Sequence, residues 1–123
     1  MTFKNPFFVL IIILSSVSQL LMAENTVLNH FIEKDKTLER GVYIIENNVK
    51  ISKDATLTVK SGSKLLFRKG ASLKVDGGLI LEGAPNNLIE ITSENIQSEG
   101  YGIIISGINR EKKIVIHFSK FSY

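Results

Sequence analysis

Between Ala55 and Glu82 the apolar residues come as pairs split by one other residue: Leu57 and Val59, Leu65 and Phe67, Leu73 and Val75. Leu57, Leu65 and Leu73 fall at a fixed interval of eight residues. Short polar pieces holding Gly62, Gly70 and Gly77–Gly78 lie between them. A strand alternates its faces with period two, so each unit presents two apolar side chains on one face. One such strand is too short to build a core. Repeated at a short fixed period, these strands bury their apolar faces only by stacking, which is the signature of a solenoid.

The same pattern extends along the chain and predicts strands at Val42–Ile45, Val49–Ile51, Leu57–Val59, Leu65–Phe67, Leu73–Val75, Leu79–Leu81, Leu88–Ile91, Ile103–Ile105 and Ile114–Phe118. Alternation points Leu57, Val59, Leu73, Val75, Ile89 and Ile91 inward, and Thr58, Lys74 and Glu90 outward. In the last strand Ile114, Ile116 and Phe118 share one face, opposite Val115 and His117. For Val42–Ile45 the alternation leaves the face open. The connections Asn47-Asn48, Lys53-Asp54, Ser61-Gly62, Lys69-Gly70, Asp76-Gly77-Gly78 and Gly83–Asn87 favour tight corners, and none has the two-residue hairpin form. Three strands of about eight residues make a three-sided coil of about 24, so Val49 to Ser72 is one coil and Leu73 to about Ser98 the next. The expected fold class is all-β: a right-handed parallel β-helix, short and incomplete, behind a signal peptide. An antiparallel sandwich with strands every 8–12 residues is the rival.

The segment Thr26 to Glu39 tolerates a helix, with Val27, Phe31 and Ile32 roughly on one side, or a short strand at Phe31–Ile32. It is read as an N-terminal cap, which covers core side chains and strand edges at an open end. The domain reading is therefore signal peptide 1–23, cap region 24–41 and β-helix coils 42–123.

The first residues have the layout of a secretory signal: Lys4, the apolar run Phe7–Leu14, then a more polar stretch ending at Ala23. Cleavage is expected after Ala23, with Ser18 as the alternative position. Phe7 to Ala23 spans 17 residues, the lower edge for a membrane-crossing helix, so the membrane enters only if this segment stays uncleaved. The expected location is secreted or extracytoplasmic, in the periplasm or at the cell surface. The net charge of +3 is scattered, Lys34, Lys36 and Arg40 being interleaved with Glu33, Asp35 and Glu39. That argues for a solvated face and against a nucleic-acid partner. The chain has no cysteine, which excludes disulfides, a thiolate metal site and a thiol nucleophile.

The run from Gly41 to Ser93 resembles the N-terminal coils of bacterial right-handed parallel β-helix proteins of the pectate-lyase-like fold. The residues that carry the resemblance are NVKI (Asn48–Ile51), ATLTVKSGSKLLF (Ala55–Phe67), GASLKVDGGLILEG (Gly70–Gly83), IEITS (Ile89–Ser93) and YGIIISG (Tyr101–Gly107). Asp54 stands where the family has Gly, and Tyr101 where it has Trp. The resemblance implies an architecture and no particular activity. Proteins of this kind continue for more coils, so the chain is expected to be the first few coils of a longer protein, or to be completed by another chain.

Candidate chemistry is sparse. His30 and His117 are the two histidines, with no carboxylate at ligand spacing around either, and a solvated surface role is expected for both. Glu82, Glu90, Glu94 and Glu99 are the carboxylates for an acid–base pair or a cation site on an outer sheet face, Glu90 near Lys64 or Leu66 of the preceding coil. Asp35, Asp54 and Asp76 sit in separate turns. Asn47-Asn48 and Asn86-Asn87 suit a stacked amide ladder, with glycan binding as the functional alternative. No catalytic, cofactor or metal residues are assigned. The leading expectation is a secreted or cell-surface scaffold or adhesion-type protein without catalytic activity. The alternative is the N-terminal fragment of a polysaccharide lyase or glycoside hydrolase. Expected partners are a glycan or further β-helix coils. Self-association is expected through the C-terminal end, where Ile114, Ile116, Phe118, Phe121 and Tyr123 have nothing after them.

Overall fold

The computed structural model describes residues 25–94, 102–106 and 111–122. They form thirteen strands and no helix: β1 (Thr26–Val27), β2 (Phe31–Ile32), β3 (Lys36–Leu38), β4 (Val42–Ile45), β5 (Asn48–Ile51), β6 (Thr56–Lys60), β7 (Lys64–Phe67), β8 (Ser72–Val75), β9 (Gly78–Glu82), β10 (Ile89–Ser93), β11 (Gly102–Ile105), β12 (Ile114–His117) and β13 (Ser119–Phe121). The expected signal segment 1–23, Glu99, Tyr101 and Tyr123 lie outside the described residues.

Every third strand joins the same sheet. The first sheet runs β1-β4-β7-β10-β13, the second β2-β5-β8-β11 and the third β3-β6-β9-β12. All pairings between strands are parallel. The chain is a short parallel β-helix, each coil laying one strand in each of three sheets. The antiparallel sandwich is thereby excluded, because consecutive strands do not pair.

Inside, residues of one kind sit on one another from coil to coil. Val49, Leu73 and Ile103 form one inward column of the second sheet, and Ile51, Val75 and Ile105 the next. Leu57 stacks on Leu79 and Val59 on Leu81 in the third sheet. Leu57, Leu65, Phe67, Leu73 and Ile91 are buried as the alternation predicts, and Lys74 is exposed. Glu90 departs from expectation, being half-buried rather than exposed; its backbone pairs with Lys64 on one side and Lys120 on the other. The face left open for β4 is settled by its pairing: Tyr43 sits on Leu65 and Ile45 on Phe67.

The expected coil of Val49 to Ser72 is observed, since Leu73 lies directly on Val49. The next coil is longer than expected, because Leu73 pairs with Ile103. Asn48 and Ser72, bonded across one coil, are 24 residues apart, whereas Asp76 and Ser106 are 30 apart. The extra length is shared by the connections between β9 and β10 and between β10 and β11, which leaves the strands in register.

The end of the last strand also moves. The last predicted strand, Ile114–Phe118, stops at His117. Phe118 adopts φ 43 and turns the corner into β13 as a single left-handed residue. Asn47 does the same between β4 and β5 at φ 58, a conformation asparagine tolerates better than other side chains. The segment read as a cap contributes β1 to β3, so it adds a coil of its own. There Ile32 points inward and is buried while Phe31 points out and is exposed, which replaces the expected shared face.

Candidate functional site

The polar side chains that sequence reading singled out sit on the outside, and the corners between sheets hold most of them. Where the first sheet turns into the second, Glu46, Arg68 and Glu94 follow β4, β7 and β10. Arg68 Nη1 donates to Glu46 Oε1 at 3.0 Å, and its Nε lies 3.9 Å from Glu94 Oε2. Where the second turns into the third, Asp76 accepts from Ser106 Oγ at 2.6 Å and lies 3.3 Å from Lys50 Nζ. At the same corner Asp35 Oδ1 accepts from the Thr56 N–H at 2.9 Å. Where the third turns into the first, Lys60 Nζ donates to Glu82 Oε2 at 2.7 Å.

The first corner therefore carries a ladder of opposite charges over three coils, and the other two carry one ion pair each. The hydrogen bond from Ser106, with help from Lys50, holds the Asp76 carboxyl below its ordinary value. The bond to Glu82 and its charge hold the Lys60 ammonium above its ordinary value, with a lesser push from Glu39. Tyr43 is raised by burial and by Glu39, whose carbonyl accepts from the phenol at 2.5 Å.

The structure does not bring the candidate carboxylates together. Glu82 faces Lys60, Glu90 stands in register between Lys64 and Lys120, and Glu94 faces Arg68. Among the described residues these three carboxylates stand opposite cations rather than opposite one another. His30 precedes β2 in the first coil and meets the Asn48 carbonyl through Nδ1 at 3.2 Å. His117 stands at the other end of the stack, in register with Glu82. Among the described residues no group of three or more His, Asp or Glu is placed to hold a metal ion. The asparagine pairs occupy different corners and do not stack on each other. Asn48 Oδ1 accepts from Ser72 Oγ at 2.8 Å, and Asn87 exchanges backbone bonds with Ala84 while its carbonyl accepts from Gly62.

Sequence reading missed Phe31. Its exposed ring lines a shallow cleft of about 300 Å³ with Asn29, Glu33, Lys34, Asp35 and Lys36, and an adjoining one of about 170 Å³ with Lys50 and Ser52. Its strand is only two residues long, too short for alternation to mark the outward position. The helix-tolerant reading of that segment hid it.

Comparison with protein-family models, with curated proteins and with solved structures finds no match to this chain.

Proposed function

We propose that the chain is a non-catalytic, extracytoplasmic β-helix scaffold, similar to the first coils of the pectate-lyase-like β-helix proteins and directed outward by a signal peptide ending at Ala23. One observation supports this reading most. Charged outer side chains pair with one another, coil to coil, in Glu46–Arg68–Glu94, Lys50–Asp76 and Lys60–Glu82. Side chains arranged this way fix the stacking of a solenoid. A hydrolase or lyase site needs the opposite arrangement: carboxylates or bases held together with unlike environments, so that one donates a proton and another accepts it.

The test uses protein recovered from the extracytoplasmic fraction of cells expressing the full chain. Its intact mass should begin at Glu24. Incubated with neutral and uronic-acid polysaccharides, it should release neither reducing ends nor unsaturated products. Turnover that disappears in Glu90→Gln or Glu82→Gln would replace this reading with the enzyme fragment.

A further inference from the structure

Among the described residues, the outward face of the second sheet breaks a rule that the other faces keep. In the first sheet Lys64, Glu90 and Lys120 alternate in sign from coil to coil, and at the corner beyond them Glu46, Arg68 and Glu94 do the same. In the third sheet Lys60 lies on Glu82. In the second sheet Lys50 lies directly on Lys74, like charge on like charge, in strands about 4.8 Å apart. Such a pair is unfavourable for the fold on its own. Lys50 has Asp76 at 3.3 Å, whereas Lys74 has no ion-pair partner among the described residues. A local rule broken at an exposed position, without a compensating contact, points to an anion supplied from outside the chain.

The two lysines stand between two exposed apolar side chains. Phe31 lies on Lys50 at one end of the column, and Ile104 on Lys74 at the other. Their exposures are 67% and 51%. Both point away from the sheet, so coils stacked before or after them would leave them on the same outer face. Beside Phe31 and Lys50 a hollow of about 170 Å³ is also lined by Glu33 and Ser52. The polar groups that flank the column satisfy one another: Ser72 Oγ donates to Asn48 Oδ1, and Ser106 Oγ to Asp76 Oδ1. The face therefore offers a partner two ammonium groups between two apolar contacts, rather than a set of free hydroxyls and amides. That disfavours a sugar, whose hydroxyls need many such partners.

We propose that this face binds an extended peptide segment of a partner protein, one that carries an acidic residue with an apolar residue two positions away on either side. The column from Phe31 to Ile104 spans three strand spacings, about 14 Å. An extended chain rises about 3.3 Å per residue and turns alternate side chains to one side, so the first, third and fifth residues of such a segment cover about 13 Å. The central carboxylate then falls between Lys50 and Lys74 and accepts charge-assisted hydrogen bonds from both ammonium groups. One flanking apolar side chain meets Phe31 over its hollow, and the other meets Ile104. Glu33 at the rim of the hollow repels an acidic group there, which favours the central placement. The segment crosses the strands and runs along the stack, so it uses no free strand edge and neither end of the stack.

The test starts from a display library of linear peptides selected on the purified protein. The expected consensus is one Asp or Glu with Leu, Ile, Val or Phe two positions to either side. A synthetic peptide of that consensus, followed by fluorescence anisotropy, should bind more weakly as salt is added. Lys74→Glu and Phe31→Ala should each raise its dissociation constant about tenfold or more and keep the wild-type circular dichroism, both side chains being exposed. Lys64→Ala, which removes a lysine from the first sheet instead, should leave binding unchanged. A selection without acidic enrichment, or a selected peptide indifferent to Lys74→Glu and Phe31→Ala, overturns the proposal. So does binding of a uronic-acid polysaccharide or of anionic phospholipid vesicles that Lys74→Glu abolishes while no such peptide is selected, because it assigns the face to a different partner.

Discussion

Lys60 Nζ bonds to Glu82 Oε2 at 2.7 Å, and the two residues sit directly opposite each other in β6 and β9. They are 22 residues apart in the chain, so the bond forms only when one coil lies on the next in this register. A slip of one residue sends every side chain of a strand to the other face. The ion pair and the core columns of Leu57 on Leu79 and Val59 on Leu81 enforce the same alignment. Glu82→Lys sets like charges opposite each other. It should lower the thermal midpoint at low ionic strength, and the loss should shrink as salt is added, because the pair is solvent-exposed and screened.

Leu65 is fully buried between Tyr43 and Ile91, its partners in the coils on either side. Leu65→Ala should cost about 2–5 kcal/mol, from lost transfer energy plus the cavity left behind. That is a large share of the stability of a small domain. Lys74→Ala, on an exposed outward position, should stay within about 0.5 kcal/mol of wild type. Chemical denaturation of both variants checks the inward and outward assignment.

Two corner glycines should respond differently to alanine. A Cβ at Gly77 would lie 2.2 Å from the carbonyl oxygens of both Ala55 and Ser52, rigid backbone atoms of the coil below. Gly70 has φ 72 and open space around it, so Gly70→Ala meets only the left-handed penalty of about 1–2 kcal/mol. Gly77→Ala should lose more stability than Gly70→Ala in the same denaturation experiment, because the coils must move apart.

Asp76 gives the acid limb of stability a known sign. Its carboxyl is held below the ordinary value of 3.8 by Ser106 and Lys50. A depressed carboxylate stabilises the fold at pH above its unfolded value, and the contribution fades as the pH falls through the lower folded value. The stability gap between wild type and Asp76→Asn should therefore be full at about pH 6 and close progressively below 3.8. Urea denaturation across that range measures it. A gap that widens in acid contradicts the bonding seen at this corner.

The central coils were readable in the sequence because one signal fixed them. Leu57, Leu65 and Leu73 repeat at equal spacing, and period-two alternation around them has a single buried solution. Phe31 and Phe118 were not readable, because alternation alone does not fix a side chain at a strand's edge. The first lies in a two-residue strand, too short for alternation to show, so its outward ring looked like part of an apolar side. The second continues the apolar alternation of Ile114 and Ile116, yet the chain needs a corner there and makes it with φ 43 at Phe118. The ion-pair ladders depend on coil length. The repeat placed Glu90 near Lys64, but pairing Arg68 with Glu46 and Glu94, or Ser106 with Asp76, requires knowing how many residues each corner holds.

The most direct test of the account exploits the absence of cysteine. Lys50 and Lys74 are opposite each other in β5 and β8, strands about 4.8 Å apart, within disulfide reach. Lys50→Cys with Lys74→Cys should crosslink within one chain, under mild oxidation or with a short thiol-bridging reagent, and keep the wild-type circular dichroism. Lys50→Cys with Thr58→Cys, which places the thiols on consecutive strands of different sheets, should not crosslink. Efficient linking of the second pair and none of the first is what an antiparallel pairing of β5 with β6 produces, and that result would contradict the stacked parallel coils on which every conclusion here depends.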